Sequence, residues 1–151
     1  MTLPLTDAHI LIQPEPITLA RVTELDVLIF GDTIVTAEKI QQILAVPHLL
    51  LVAVHGEAPV GFKLGYAGDR PNHFHSWLGG VVAEYRRRGI AFRMLKLQEE
   101  WAVSQGFKTI GFNTFHRFTE MQALGRKAGY ELVKTTETDG QTKLWFEKRL
   151  V

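Results

Sequence analysis

The sequence predicts a single domain of mixed α and β structure built on one sheet. Three observations carry this. Strand-sized runs of β-branched, aliphatic and aromatic residues are bounded by Gly, Pro and Asp, with 49–54 the longest apolar run. Between several of them lie stretches with apolar residues at helical spacing, such as Leu19, Val22, Leu25, Leu28 and Ile29. The chain has 151 residues, one domain's worth, with no repeat, linker or low-complexity segment.

In order, 9–13 reads as a first strand, closed by Pro14, Glu15 and Pro16. A helix follows over 17–30, with Thr18 as N-cap and Gly31 and Asp32 as the break. A second helix spans 36–45, starting at Thr36, with Ile40, Ile43 and Leu44 on one face and Pro47 as the stop. Strands at 49–54 and 60–66 form a hairpin through Gly56 and Pro59, and a turn at 68–72 leads to a third strand, 74–82. The helix over 88–104 carries Ile90, Phe92, Leu95, Leu97 and Trp101 as its apolar stripe and ends at Gly106. Then come a strand at 109–115, a helix at 119–128 with Gly129 past its end, and a final hairpin, 131–136 and 143–148, turning at Asp139 and Gly140.

Composition excludes several classes of function. There is no cysteine, hence no disulfide framework, thiolate metal site or cysteine nucleophile, and no metal site is expected. No stretch reaches the length of a membrane span and the first residues lack a basic-then-apolar signal, so a cytoplasmic protein without membrane contacts is expected. Net charge is +1 with both signs interspersed, which argues against a nucleic-acid partner despite Arg86, Arg87 and Arg88.

Those arginines lie in the most informative stretch of the chain. A strand runs into a basic turn, Arg86 to Ala91, which opens directly into a helix. The first amides of a helix have no intrahelical acceptor and sit at the positive end of its dipole, so such a turn is built to hold phosphate. Gly89 allows close backbone approach to a bulky anion. Gly79 and Gly80 just before it read as a bulge in the strand.

Val81, Ala83, Arg86, Gly89 and Ala91 resemble the Val-x-Pro-x-x-(Arg/Gln)-x-x-Gly-x-(Gly/Ala) motif of the GCN5-related N-acetyltransferase (GNAT) superfamily, with Ala83 in place of Pro. Lys127, Ala128, Gly129 and Tyr130 are similar to the end of that family's closing helix, and the order of elements is the family's too. The resemblance implies a central mixed, mostly antiparallel sheet flanked by helices and splayed at the cofactor site. It implies acetyl-CoA as co-substrate, its pyrophosphate on Arg86, Arg87, Arg88, Gly89, Ile90 and Ala91, and its pantetheine arm paired with Val81 and Val82. An amide at Val81 or Val82 would polarise the thioester carbonyl. Two further family positions differ: the usual asparagine is Phe118, which would pack on the cofactor's apolar arm or fill the core, and the usual tyrosine acid is Gly125, which cannot donate a proton.

The implied activity is transfer of an acetyl group to a primary amine, a small molecule or a peptide, by direct attack in a ternary complex, with a homodimer as a family-level expectation. Candidate bases are His75 and His116, with water relayed through Ser76 or backbone carbonyls as the alternative. On the strand, His73, His75, Trp77, Gly79 and Val81 are expected on one face. Asp26, Asp32 and Glu38 read as attractors for a cationic amine or as ordinary solvated charges. The missing tyrosine also leaves open a coenzyme A-binding module that does no catalysis.

Overall fold

A computed structural model describes residues 9–151. Seven strands form one sheet in the order β1-β2-β3-β4-β5-β7-β6. The strands are β1 (Ile10–Glu15), β2 (His48–His55), β3 (Ala58–Ala67), β4 (His73–Val81), β5 (Thr109–Phe115), β6 (Glu131–Thr138) and β7 (Gln141–Arg149). The helices are α1 (Leu19–Phe30), α2 (Ala37–Leu44), α3 (Ile90–Ser104) and α4 (Thr119–Lys127). All neighbouring strands are antiparallel except β4 and β5.

Local chemistry sets most boundaries. Thr18 and Thr36 cap α1 and α2, their hydroxyls accepting from the amides of Arg21 at 3.2 Å and Lys39 at 3.1 Å. Gly31 ends α1 in the left-handed conformation (φ 74°). Asp139 and Gly140, both at positive φ, make the tight turn between β6 and β7. Pro14 does not close the first strand as expected. As a sheet-edge residue opposite Leu51 it can dispense with a ladder amide, and β1 runs on to Glu15.

The two faces of the sheet bury different helices. Val22 and Leu25 of α1 and Ile40 and Ile43 of α2 pack on Leu50, Val52, Phe62 and Leu64. On the other face Leu95 and Ala102 of α3 pack with Phe74, Ile110, Phe112, Tyr130 and Phe146. At the first end of α3, Ile90 and Met94 pack on Ala53, Val60 and Val81. The α3 stripe differs from its sequence reading. Leu97 is exposed, while Gln98 and Glu99 are buried.

Two features of β4 shape the site. Its parallel pairing with β5 is short: His73, Phe74 and His75 lie opposite Thr109, Ile110 and Gly111, and beyond them the strands part. The sheet therefore opens toward the C-terminal ends of both strands. The bulge falls at Trp77, which has no partner between Leu64–Leu78 and Gly65–Ser76, and not at Gly79 and Gly80. Those glycines serve close packing instead: a Cβ on Gly79 would meet the Phe62 carbonyl oxygen at 2.7 Å, and one on Gly80 would meet Ile29 Cγ2 at 2.6 Å.

The bulge also breaks the expected alternation. His75 and Trp77 lie on the α1/α2 side, against Tyr66, and Leu78 packs on that side as well. Val81 packs toward α3. One inserted residue has turned the second half of the strand over.

Candidate functional site

The site is built where β4 ends. A single turn of 3-10 helix (Ala83–Tyr85) follows, and Gly89 caps α3 with φ 77° and no side chain. Arg87 is also left-handed, at φ 63°, a strained conformation for a residue with a Cβ. The first helical hydrogen bond runs from the Arg93 amide to the Gly89 carbonyl at 2.9 Å. Among the described residues, the amides of 87–92 have no acceptor. Successive free amides on a backbone of alternating hand form a concavity suited to an anion, and the helix dipole adds positive potential. Nothing lies within 4 Å of where a Gly89 Cβ would stand, so the space before this turn is open.

The arginines divide their work. Arg86 Nε donates to the Val81 carbonyl at 3.0 Å, bracing the turn against the end of β4. Arg88 donates to the Glu84 carbonyl at 3.1 Å and lies over the Tyr85 ring, whose hydroxyl meets His55 Nδ1 at 2.8 Å. Arg87 is exposed. Ile90 is buried and anchors the helix start, and Ala91 is half-buried beside it.

Val81 and Val82 part company. The Val82 amide donates to the Val60 carbonyl at 2.9 Å and so is committed to β3. Bonding alternates along an antiparallel pair, so Val81 and Gly79, opposite Gly61 and Lys63, turn their backbone groups toward the opening. Val81's amide faces the opening; Val82's does not.

The two histidines are not brought together. His75 lies on the α1/α2 face at the last β4–β5 pair, edge-on to Tyr66 with centroids 5.5 Å apart. Lys39 Nζ meets Tyr66 Oη at 2.9 Å and sits over the rings of Tyr66 and Trp77. Burial, then the neighbouring His73 and Lys39, push His75 down to about 4, so it is neutral and weakly basic at neutral pH. His116 is exposed beyond β5, its amide donating to the Thr142 carbonyl at 2.9 Å. His73 is tied to Thr109 Oγ1 at 2.8 Å and Arg70 at 3.0 Å, a fastening across the parallel seam.

Phe118 stands at the N-cap of α4, exposed, with the Arg117 guanidinium 4.5 Å from its ring centre. Gly125 is buried, and the Phe112 ring fills the space a side chain there would take, its Cζ overlapping the place of a Cβ. Asp26 is neither an attractor nor solvated. It is fully buried and Oδ2 accepts from the amides of Ile34 and Val35, pinning the α1–α2 loop. Asp32 and Glu38 are exposed. A groove of about 610 Å³ runs beside His75, lined by Tyr66, Asp69, His73, Trp145 and Glu147.

With this geometry in view, the sequence over residues 19–138 matches the model of the acetyltransferase (GNAT) family. The chain belongs to the GNAT family. Solved GNAT structures have the same fold. The ribosomal-protein-S18-alanine N-acetyltransferase of Escherichia coli superposes with a TM-score of 0.77 at 12% identity, covering 93% of this chain and 94% of that one. A GNAT acetyltransferase of Elizabethkingia anophelis with acetyl-CoA bound gives 0.70 at 18%, covering 93% and 98%. An acetyltransferase of Bacillus subtilis in complex with CoA gives 0.73 at 15%, covering 94% and 99%. A search of curated protein sequences gives no significant match.

As a GNAT domain, the chain carries its motif on the opened edge of β4 and the start of α3. Among the described residues no group of three or more His, Asp or Glu is placed to hold a metal ion, and no helix is long and apolar enough to cross a membrane. Ser76, read as a water relay, is buried on β4, and sequence reasoning passed over Lys63, buried on β3, and Gln98, buried on α3. Only their departure from the apolar pattern marked them.

Proposed function

We propose that this GNAT domain transfers an acetyl group from acetyl-CoA to a primary amine. The observation that carries the reading is the run of acceptor-free amides over 87–92 beside the outward-facing Val81 amide. The amides of Arg87 to Ala91 hold the pyrophosphate, with Arg87 adding charge from solvent. Gly79 and Val81 pair with the pantetheine amides as a strand would, and the Val81 amide polarises the thioester carbonyl. Phe118, at the head of α4, covers the apolar part of the arm from the β5 side.

The amine approaches along the groove beside His75, whose lining carries both signs: Asp69 and Glu147 with Arg70 and Lys134, Glu147 being paired with Arg70. A base held at about 4 is poorly matched to an ammonium group, so His75 accepts a hydrogen bond from the incoming amine and orients it, and the proton leaves to solvent. His116, on the exposed turn after β5, is the second candidate for that proton. Holding both reactants in one cleft supplies much of the rate.

The test is calorimetric titration of acetyl-CoA into the wild type and Gly89→Val, followed by a thiol-release screen of amines. Binding by the wild type that is strongly weakened in the variant supports the cradle; equal binding by both places the cofactor elsewhere. The filling of the Gly125 region by Phe112 favours a second reading, a coenzyme A-binding module without catalysis. Thiol release with any amine disproves it.

A further inference from the structure

The face of the sheet beneath α3 holds a polar group that the apolar core around it does not explain. Lys63, in the middle of β3, is only 7% exposed. Its neighbours two residues away fix its direction: a Cβ on Gly61 would touch Met94, and one on Gly65 would touch Gln98, so residues 61, 63 and 65 face α3. Directly across from Lys63 stands Gly79, and a Cβ there would lie 3.4 Å from Lys63 Cγ. The lysine stem therefore lies over the place where β4 lacks a side chain, heading toward the gap between β4 and β5.

Its ammonium makes no hydrogen bond and no ion pair within 4 Å among the described residues. Two further buried side chains between the sheet and α3 have polar atoms without partners: Ser76 Oγ, opposite Gly65, and, from α3 itself, both amide atoms of Gln98. Buried polar groups are nearly always paired, and two such side chains without partners beside Lys63 point to something the bound state supplies.

We infer that Lys63 is the proton donor to the sulfur that leaves during acyl transfer, its ammonium reaching the gap between β4 and β5 over Gly79. This rests on the acetyl-transfer reading above. The balance is simple. The amine nitrogen forms its bond to the acyl carbon, the C–S bond breaks with its electron pair on sulfur, and Lys63 gives one Nζ proton to that sulfur. The nitrogen sheds its extra proton to water, and Lys63 regains one from solvent. The products are an amide and a neutral thiol.

The electrostatics agree. Burial lowers Lys63 to about 8, against a smaller opposing pull from Glu99, close to the range of an ordinary thiol. Glu99 is the only charged group on α3 facing it, and that carboxylate is already held by Tyr130 Oη at 2.8 Å and by Lys96 and Lys148 at 3.0 Å each. Lys63 thus keeps a proton it can release. Lys63 thereby takes the role that family resemblance gives to a tyrosine at the position of Gly125.

The experiment reads the thiol as well as turnover. Coenzyme A is bound to the wild type and to Lys63→Met, and the ultraviolet absorbance of the thiolate is followed against pH. An ammonium facing sulfur should raise the thiolate fraction of bound over free coenzyme A by about tenfold or more at a given pH below the thiol's own range. Lys63→Met should lose that rise, bind within about threefold of wild type through the intact cradle, and transfer acetyl about 100-fold more slowly. An unchanged thiolate rise in Lys63→Met overturns the inference. Should that variant fail to fold, the titration of the Lys63 side chain is followed by NMR in the wild type with coenzyme A or its dethio analogue. A higher midpoint with coenzyme A supports the inference, and equal midpoints overturn it. Failure of the wild type to bind coenzyme A in calorimetry overturns the acetyl-transfer reading itself.

Discussion

Gly89 and Gly125 answer to opposite demands. Nothing lies within 4 Å of where a Gly89 Cβ would stand, the backbone is left-handed, and the amides of 90–92 have no acceptor among the described residues. Gly125 is buried in the last turn of α4 with helical backbone, and the Phe112 ring fills the space where a side chain would begin. One glycine keeps space for something the chain does not contain; the other lets two of its own elements touch. Substitutions should therefore separate into those read by binding and those read by stability.

The largest effect is expected at the packed glycine. Gly125→Tyr, which restores the residue type of the family pattern, has to displace Phe112 from its stack on Phe146, 5.1 Å away, and should cost more than about 4 kcal/mol or unfold the domain in a denaturant titration. A folded, more active Gly125→Tyr would break the comparison. Gly89→Val comes next. It should weaken acetyl-CoA binding by about 100-fold, about 2.7 kcal/mol, through lost approach and the preorganised turn. Its cost to the free protein should be about 1–2 kcal/mol, from the positive φ alone.

Smaller changes sharpen the contrast between helix starts. Thr18→Ala removes an ordinary cap from α1 and should cost about 1 kcal/mol in thermal or chemical unfolding without moving the acetyl-CoA dissociation constant. The remaining effect depends on pH. His75 titrates at about 4 in the folded chain against 6.5 ordinarily, so over that window the unfolded chain binds the proton more readily. Stability should thus fall as pH drops from about 6.5 to about 4, with a slope of at most about 1.4 kcal/mol per pH unit. His75→Asn should flatten it.

How much of this the sequence revealed depends on the range over which each feature is decided. The strand, basic turn and helix from 74 to 104 are legible because their signals are local: β-branched residues, then a glycine, then helical spacing. The caps at Thr18 and Thr36 and the turn at Asp139 and Gly140 are legible for the same reason. The bulge is not, because the residue left unpaired depends on how β3 registers with β4, and Trp77 is itself a good strand residue. Gly125 shows in the sequence as an anomaly, but its cause, Phe112, sits on another element. Asp26 reads as a surface charge until the loop amides of Ile34 and Val35 come into reach. Lys63 and Gln98 fall inside apolar-looking stretches whose far side only the α3 crossing defines.

The short parallel seam has a mechanical consequence. Three residue pairs are all that directly join β4 to β5, so the sheet is two plates, β1 to β4 and β5 to β6, clasped at one end and held elsewhere by α3 and the core beneath it. A ligand arm lying in the gap would act as a second clasp at the open end. Hydrogen exchange at the Gly79 and Val81 amides should slow on saturation with acetyl-CoA, while the amides of Leu78 and Gly80, already turned toward β3, should change little. The molecule would then gain rigidity along one line of its fabric, with its secondary structure unaltered.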